Sequence, residues 1–223
     1  MNTPQFRHEN KYPITKGEGI LLEKKLKTVL SADAHATDGR YTIRSLYFDD
    51  YRNQALFEKL DGTDPREKFR IRIYNGRDDY ICLEKKIKKG DLTRKLQTRL
   101  TRTQCDAILD GEIDALWQQG DGLLAELYVR MQEGLRPKTI VEYDRIPFVY
   151  KPGNVRVTLD QNIRSGVSST ELFGKIPLVP VSAADVLEIK YDAYLPEIVR
   201  ALTAGVAGRK TSVSKYALCR KCL

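Results

Sequence analysis

The sequence predicts an α+β protein built around an antiparallel β-sheet or barrel. Three observations carry this. About eight segments alternate apolar and charged residues with the period of two that a strand imposes. A few segments with helical spacing lie between them. The 223-residue chain holds no repeat, low-complexity tract or linker, so one domain over residues 1–223 is expected.

The strands follow in order. "FRHENKY" (6–12) sets Arg7, Glu9 and Lys11 on one face. "YTIRSLYF" (41–48) is rich in β-branched and aromatic residues, which suit a pleated surface. "KFRIRIY" (68–74) sets Phe69, Ile71 and Ile73 against Lys68, Arg70 and Arg72. "YICLEKKIK" (80–88) sets Ile81, Leu83 and Ile87 against Cys82, Glu84, Lys86 and Lys88. "LTRKLQTRL" (92–100), "TIVEYDRIPFVY" (139–150), "NVRVTLD" (154–160) and "VLEIKYD" (186–192) complete the set.

Helices are expected at 16–30, 101–111, 122–134, 195–205 and 213–223. The second begins on a capping Thr and closes on Gly; the fourth has Pro near its start and Gly past its end. The stretch 165–185 reads as a long irregular loop.

Lys plus Arg number 38 against 30 acidic residues, a net charge of +8, which favours anionic partners. For any one strand, a charged face turned to water is the ordinary reading. A solvated face mixes signs and small polar residues. Here strand after strand supplies cations in alternating register: Lys11; Arg70 and Arg72; Lys86 and Lys88; Arg145; Arg156; Lys190. Glu9, Glu84 and Glu188 recur beside them. A closed barrel offers a second arrangement, with apolar faces outward under helices and polar faces lining a channel. Converging guanidiniums and ammoniums then need an anion between them, and a chain of phosphates suits them. The carboxylates suit a divalent metal shared with those phosphates.

Other features limit the reading. No apolar run approaches the roughly 20 residues of a membrane span, and the first residues carry no apolar signal core. A cytoplasmic protein is expected, with room for a membrane-protein partner at the inner face of a membrane. Cys219 and Cys222 form a single CxxC, open to free thiols or to a metal or redox role; Cys82 and Cys105 are isolated. His8 and His35 have no ligand spacing. Tyr41, Tyr47, Phe69 and Tyr74 read as packing residues rather than base-stacking ones, so no nucleic-acid partner is expected.

The ordered pieces "FRHENKY", "IRSLYFDD", "KFRIRIYNG", "LEKK", "TRK", "VEYDRIPF", "VRVTLD", "LEIKYD" and "SVSKY" resemble the VTC domain. This is the polyphosphate polymerase domain of the vacuolar transporter chaperone, in the triphosphate tunnel metalloenzyme (CYTH-like) superfamily. The resemblance implies an eight-stranded closed antiparallel barrel with helices outside. It implies transfer of the terminal phosphoryl of a nucleoside triphosphate, ATP above all, to inorganic phosphate or growing polyphosphate. Mn²⁺ or Mg²⁺ would be the cofactor. Residue by residue it implies catalytic roles for Arg70, Arg72, Lys86, Arg145 and Arg156. Lys11, Lys95, Lys190, Ser214, Lys215 and Tyr143 would bind substrate. Glu188 would hold the metal, and Glu9 and Glu84 would either add metal contacts or pair with neighbouring lysines. Hydrolytic relatives begin with Glu-x-Glu-x-Lys; here Arg7 stands in the first place. That departure favours the polymerase branch and leaves fewer metal ligands. Two rival readings share the fold: a triphosphatase or polyphosphatase, and a non-catalytic sensor of polyphosphate or inositol phosphates.

Overall fold

A computed structural model of the chain describes residues 5–34, 36–112, 114 and 121–221. His35 and Cys222 lie outside the described residues, so the CxxC is placed only through Cys219, which is buried.

Eight strands close into an antiparallel barrel: β1 (Arg7–Ile14), β3 (Tyr41–Asp49), β4 (Arg66–Tyr74), β5 (Arg77–Lys89), β6 (Leu92–Leu100), β7 (Arg136–Tyr150), β8 (Val155–Ser165) and β10 (Asp185–Tyr191). The order is β7-β3-β4-β5-β6-β1-β10-β8, and β8 returns to pair with β7. Two two-residue strands extend it: β2 (Ser31–Ala32) on β7 and β9 (Val179–Pro180) on β8. Register shifts fall between Tyr47 and Phe48, between Arg72 and Tyr74, and between Glu142 and Asp144. Such bulges supply the bending that closure requires. The β1–β6 seam is short, joining only Arg7 to Thr93 and His8 to Leu92.

The alternation seen in the sequence places the faces. Phe69, Ile71 and Ile73 of β4 are buried, and they point outward into a core shared with two helices. These are α3 (Arg102–Asp110), through Cys105 and Ile108, and α4 (Gly122–Gln132), through Leu124, Leu127 and Met131. On the other side Tyr12, Ile14, Val157, Leu159, Leu187 and Ile189 pack under Leu22 and Leu26 of α1 (Lys16–Lys27) and Val199 of α5 (Glu197–Thr203). Helix starts are written locally. Thr15 with Glu18 and Thr101 with Gln104 form capping boxes, and Asp121 accepts from the amides of Leu123 and Leu124. Part of the barrel interior is apolar. Ile43, Val141, Tyr143 and Ile163 meet Tyr216 and Cys219 of α6 (Lys215–Arg220) there.

One helix was not expected. α2 (Gln54–Asp61) is eight residues long, and Asn53 before it is left-handed with no side-chain cap. Its capping comes from upstream: Asp50 accepts from the Gln54 amide, and Asp49 from those of Ala55 and Leu56. The Asp49 carboxylate also accepts from the Tyr216 hydroxyl, tying α2 to α6. No described helix is long and apolar enough to cross a membrane.

The outward core makes a stability prediction. Ile71 has no exposure and belongs to the core cluster that β4 shares with α3 and α4. Ile71→Ala should cost about 2–5 kcal/mol in urea unfolding. A loss under 1 kcal/mol would mean that this face is not packed.

Candidate functional site

The inward faces of β1, β4, β5, β7 and β10 and the segment 210–215 surround a cavity of about 370 Å³. Twelve Lys and Arg side chains line it against four carboxylates, so its wall is strongly positive. Arg70 and Arg72 stand on the inward face of β4 together with Lys68.

The cations are not left facing each other. Four buried carboxylates hold the inner ones. Glu84 takes Arg70 through Nε at 2.7 Å and Nη2 at 2.6 Å, Lys95 at 2.8 Å and Arg72 at 3.6 Å. Asp160 takes the Arg145 fork at 2.6 and 2.7 Å and Lys215 at 2.5 Å. Glu9 takes Lys86 with both oxygens, at 2.6 and 2.7 Å, and Lys11 at 3.1 Å. Glu188 takes Lys190 at 2.7 Å, Lys11 at 3.3 Å and Arg145 at 4.0 Å. Two tyrosines fix the arginines further. Tyr47 accepts from Arg70 at 2.6 Å, and Tyr143 from Arg72 at 3.2 Å.

Titration follows from these contacts. Burial would raise Glu84, but Arg70, Arg72 and Lys95 hold its carboxyl well below the usual range. Burial is likewise outweighed at Glu188 by Lys190 and Lys11, and at Asp160 by Arg145 and Lys215. Two lysines share Glu9. Lys11 is held up because Glu9 and Glu188 together outweigh its burial. Lys86 falls to about 7, since burial, helped by Lys11 and Lys190, outweighs Glu9.

Most residues singled out from the sequence meet here. Lys11, Arg70, Arg72, Lys86, Tyr143, Arg145, Lys190, Ser214, Lys215, Glu9 and Glu188 all line the cavity. Three do not. Glu84 is buried behind the arginines as their counter-ion. Lys95 is bound to Glu84, with 43% of its side chain exposed. Arg156 reaches Asp33 at 2.6 Å and the Tyr41 hydroxyl at 2.9 Å, away from the cavity wall. Arg7 turns to the rim and pairs with Asp192 at 2.6 Å, adding no charge to the cavity. Tyr47, read from the sequence as a packing residue, lines the cavity and holds Arg70. Sequence reasoning also passed over Asp160. Its strand face was visible, but its partner Lys215 lies 55 residues away in sequence.

The donor set bears on a metal. Glu9 and Glu188 are the carboxylates on the inner wall, each already holding ammoniums. Among the described residues no group of three or more His, Cys, Asp or Glu is arranged to hold an ion. A divalent cation here would have Glu9 and Glu188 as its carboxylates and would complete its shell from water or a bound anion.

Solved structures share this inward-polar, helix-clad barrel. The chain aligns with HpAC1 from Hippeastrum at a TM-score of 0.57 and 12% identity, over 97% of this chain and 96% of that one. A Bacillus halodurans protein aligns at 0.54 and 11% identity, over 94% of both chains. PH1012 from Pyrococcus horikoshii aligns at 0.53 and 14% identity, over 95% and 98%. No curated protein matches by sequence. Within this class the chain belongs to the VTC domain family, whose model matches residues 6–223.

A proton prediction follows from Lys86. Its folded value of about 7 lies below the roughly 10.4 of an unfolded lysine. In the free protein it therefore costs stability progressively as pH falls from about 10 towards 7. A bound polyanion reverses this by favouring the charged form. At pH 8, tripolyphosphate binding should take up most of one proton onto this group. Lys68, lowered by burial and by Lys86, should add to it. Calorimetry in buffers of different ionisation enthalpy reads the uptake, and Lys86→Gln should reduce it. Binding with no proton uptake in the parent would mean that Lys86 is already charged.

Proposed function

We propose that the protein is a polyphosphate polymerase. It transfers the terminal phosphoryl of a nucleoside triphosphate, ATP above all, to phosphate or to the end of a polyphosphate chain inside the barrel. Phosphoryl transfer requires positioning and neutralised charge more than covalent help. Arg70, Arg72 and Arg145 supply forked donors that Glu84, Asp160 and two tyrosines already orient. Lys11, Lys86, Lys190 and Lys215 supply point charges around them. A bound Mg²⁺ or Mn²⁺ would neutralise phosphate charge near Glu188 and Glu9.

The observation that supports polymerisation over hydrolysis is the state of those two carboxylates. Attack by water is helped by a group that orients it or accepts its proton. Glu9 and Glu188 are both held well below the usual carboxylate range, burial being outweighed by lysines, so both are weak bases. Lys86 is no substitute, because bound phosphates drive it to its charged form. A phosphate acceptor is an anion already and requires no base. The second reading, a triphosphatase, is favoured by one likeness. HpAC1 shares the fold and has a dominant triphosphatase activity.

Incubation with ATP and Mn²⁺, followed by sizing of the products, decides between them. Chains that lengthen with time are expected. Free phosphate without chains would replace this reading with the triphosphatase. In the active protein, Arg72→Ala should lower the rate by roughly 10²–10³. Arg72→Lys should not restore it, since an ammonium cannot reproduce a fork. Glu188→Gln should abolish turnover while metal-free tripolyphosphate binding holds or tightens. Equal loss of both would give Glu188 a structural role.

A further inference from the structure

Lys68 is a cavity amine that the proposed reaction does not use. It stands on the inward face of β4, half-buried, two residues before Arg70. Its neighbours are neutralised: Glu9 takes Lys11 and Lys86, and Glu84 takes Arg70. Among the described residues Lys68 itself has no carboxylate within ion-pair distance and no oxygen within hydrogen-bond distance. Its side-chain nitrogen lies over the rings of Tyr47 on β3 and Tyr216 on α6, at 5.4 and 5.8 Å. Lys59, in the same wall, differs in donating to the Ser212 hydroxyl at 3.0 Å. The charged groups that act on Lys68 are Lys86 of β5, Lys11 and Glu9 of β1, and Arg70 of its own strand. Three cations therefore face it against one carboxylate that two lysines already share. Burial first, and then Lys86, Lys11 and Arg70, hold its amine well below the usual lysine range.

We propose that Lys68 is a carbamylation site, where its uncharged amine combines with carbon dioxide and the surrounding cations hold the carbamate. The nitrogen lone pair attacks the carbon of carbon dioxide. A C–N bond forms, one C–O π bond opens onto oxygen, and the nitrogen gives one proton to solvent. No oxidant, metal or second reactant takes part. A neutral group becomes an anion, so the effect of its surroundings reverses. Lys86, Lys11 and Arg70, which oppose an ammonium there, attract a carbamate. An exposed lysine meets neither condition, since it is protonated near pH 7 and no cation holds its product. Lys86 meets only the first. Its amine is also lowered, to about 7, but both oxygens of Glu9 lie against it and would repel a carbamate. The modification places a negative charge on a wall that otherwise attracts polyanions, so carbon dioxide and polyphosphate should compete. That competition rests on the polyanion-binding reading of the cavity; the modification does not.

The test labels the carbamate. Protein equilibrated with ¹³C-labelled carbon dioxide near neutral pH is treated with an alkylating agent that traps carbamates as esters, and the label is mapped by peptide mass spectrometry. Each unit of lowered pKa raises the uncharged fraction of an amine about tenfold. Label at Lys68 should therefore exceed that at any exposed lysine by about tenfold or more, and Lys86 should carry less than Lys68. Lys68→Gln should remove this label and the matching carbamate resonance in the ¹³C spectrum, while Lys59→Gln should keep both. Because the map of the parent protein locates the label, the result does not depend on how well the variant folds. Tripolyphosphate should suppress the label at Lys68 by protonating and covering the amine. Label spread evenly over the lysines, or found equally at Lys86, would overturn the site. A carbamate at Lys68 that tripolyphosphate leaves untouched would keep the modification and discard the competition.

Discussion

The barrel depends on four buried carboxylates. Glu9, Glu84, Asp160 and Glu188 sit among inward cations that would otherwise repel one another at short range. An isolated charge taken from water costs several kcal/mol, and breaking a buried pair typically costs about 3–5 kcal/mol. The interior is therefore viable only as a network in which each carboxylate serves two or three cations. This inverts the usual arrangement of a half-buried sheet. The apolar faces look outward under α1, α3, α4 and α5, while α6 meets an apolar part of the interior; the charged faces look inward, where their own counter-ions compensate them.

That network also prepares the site for its ligand. A guanidinium held by a carboxylate on one edge keeps its other donors in a fixed direction. Glu84 holds Arg70 from behind, and Tyr47 receives it in front. Asp160 holds Arg145 with two parallel bonds while Lys215 completes the same carboxylate. A phosphate entering in front of these groups meets donors whose orientation has been fixed during folding. Stabilisation of this kind is worth more than the same contacts formed by mobile side chains.

The strand faces were legible in the sequence because a period of two leaves little choice once one face is apolar. Phe69, Ile71 and Ile73 fix where Arg70 and Arg72 must point. Helix starts were legible where the cap is local, as at Thr15 and Thr101. α2 was not, because its caps come from Asp49 and Asp50 upstream and its neighbour in space is α6. Depth was not legible either. Parity places Glu84 and Lys86 on one face, yet Glu84 lies beneath the arginines while Lys86 reaches the cavity. Ion pairing was least legible of all. Asp160 with Lys215, or Lys86 with Glu9, joins residues that only barrel closure brings together.

Arg7 shows how a single residue decides the character of the site without touching the ligand. On strand parity it shares a face with Glu9 and Lys11, and a carboxylate there would add a third donor to the pair on the inner wall. Arg7 instead swings to the rim, where Asp192 and the Asn154 carbonyl take it. The cavity gains no cation and holds no third carboxylate at that place. With two carboxylates already shared among lysines, a divalent ion has too few protein ligands to reside alone, so it is best held when the phosphates bring it. One residue at the edge of β1 thus sets how many carboxylates the inner wall presents.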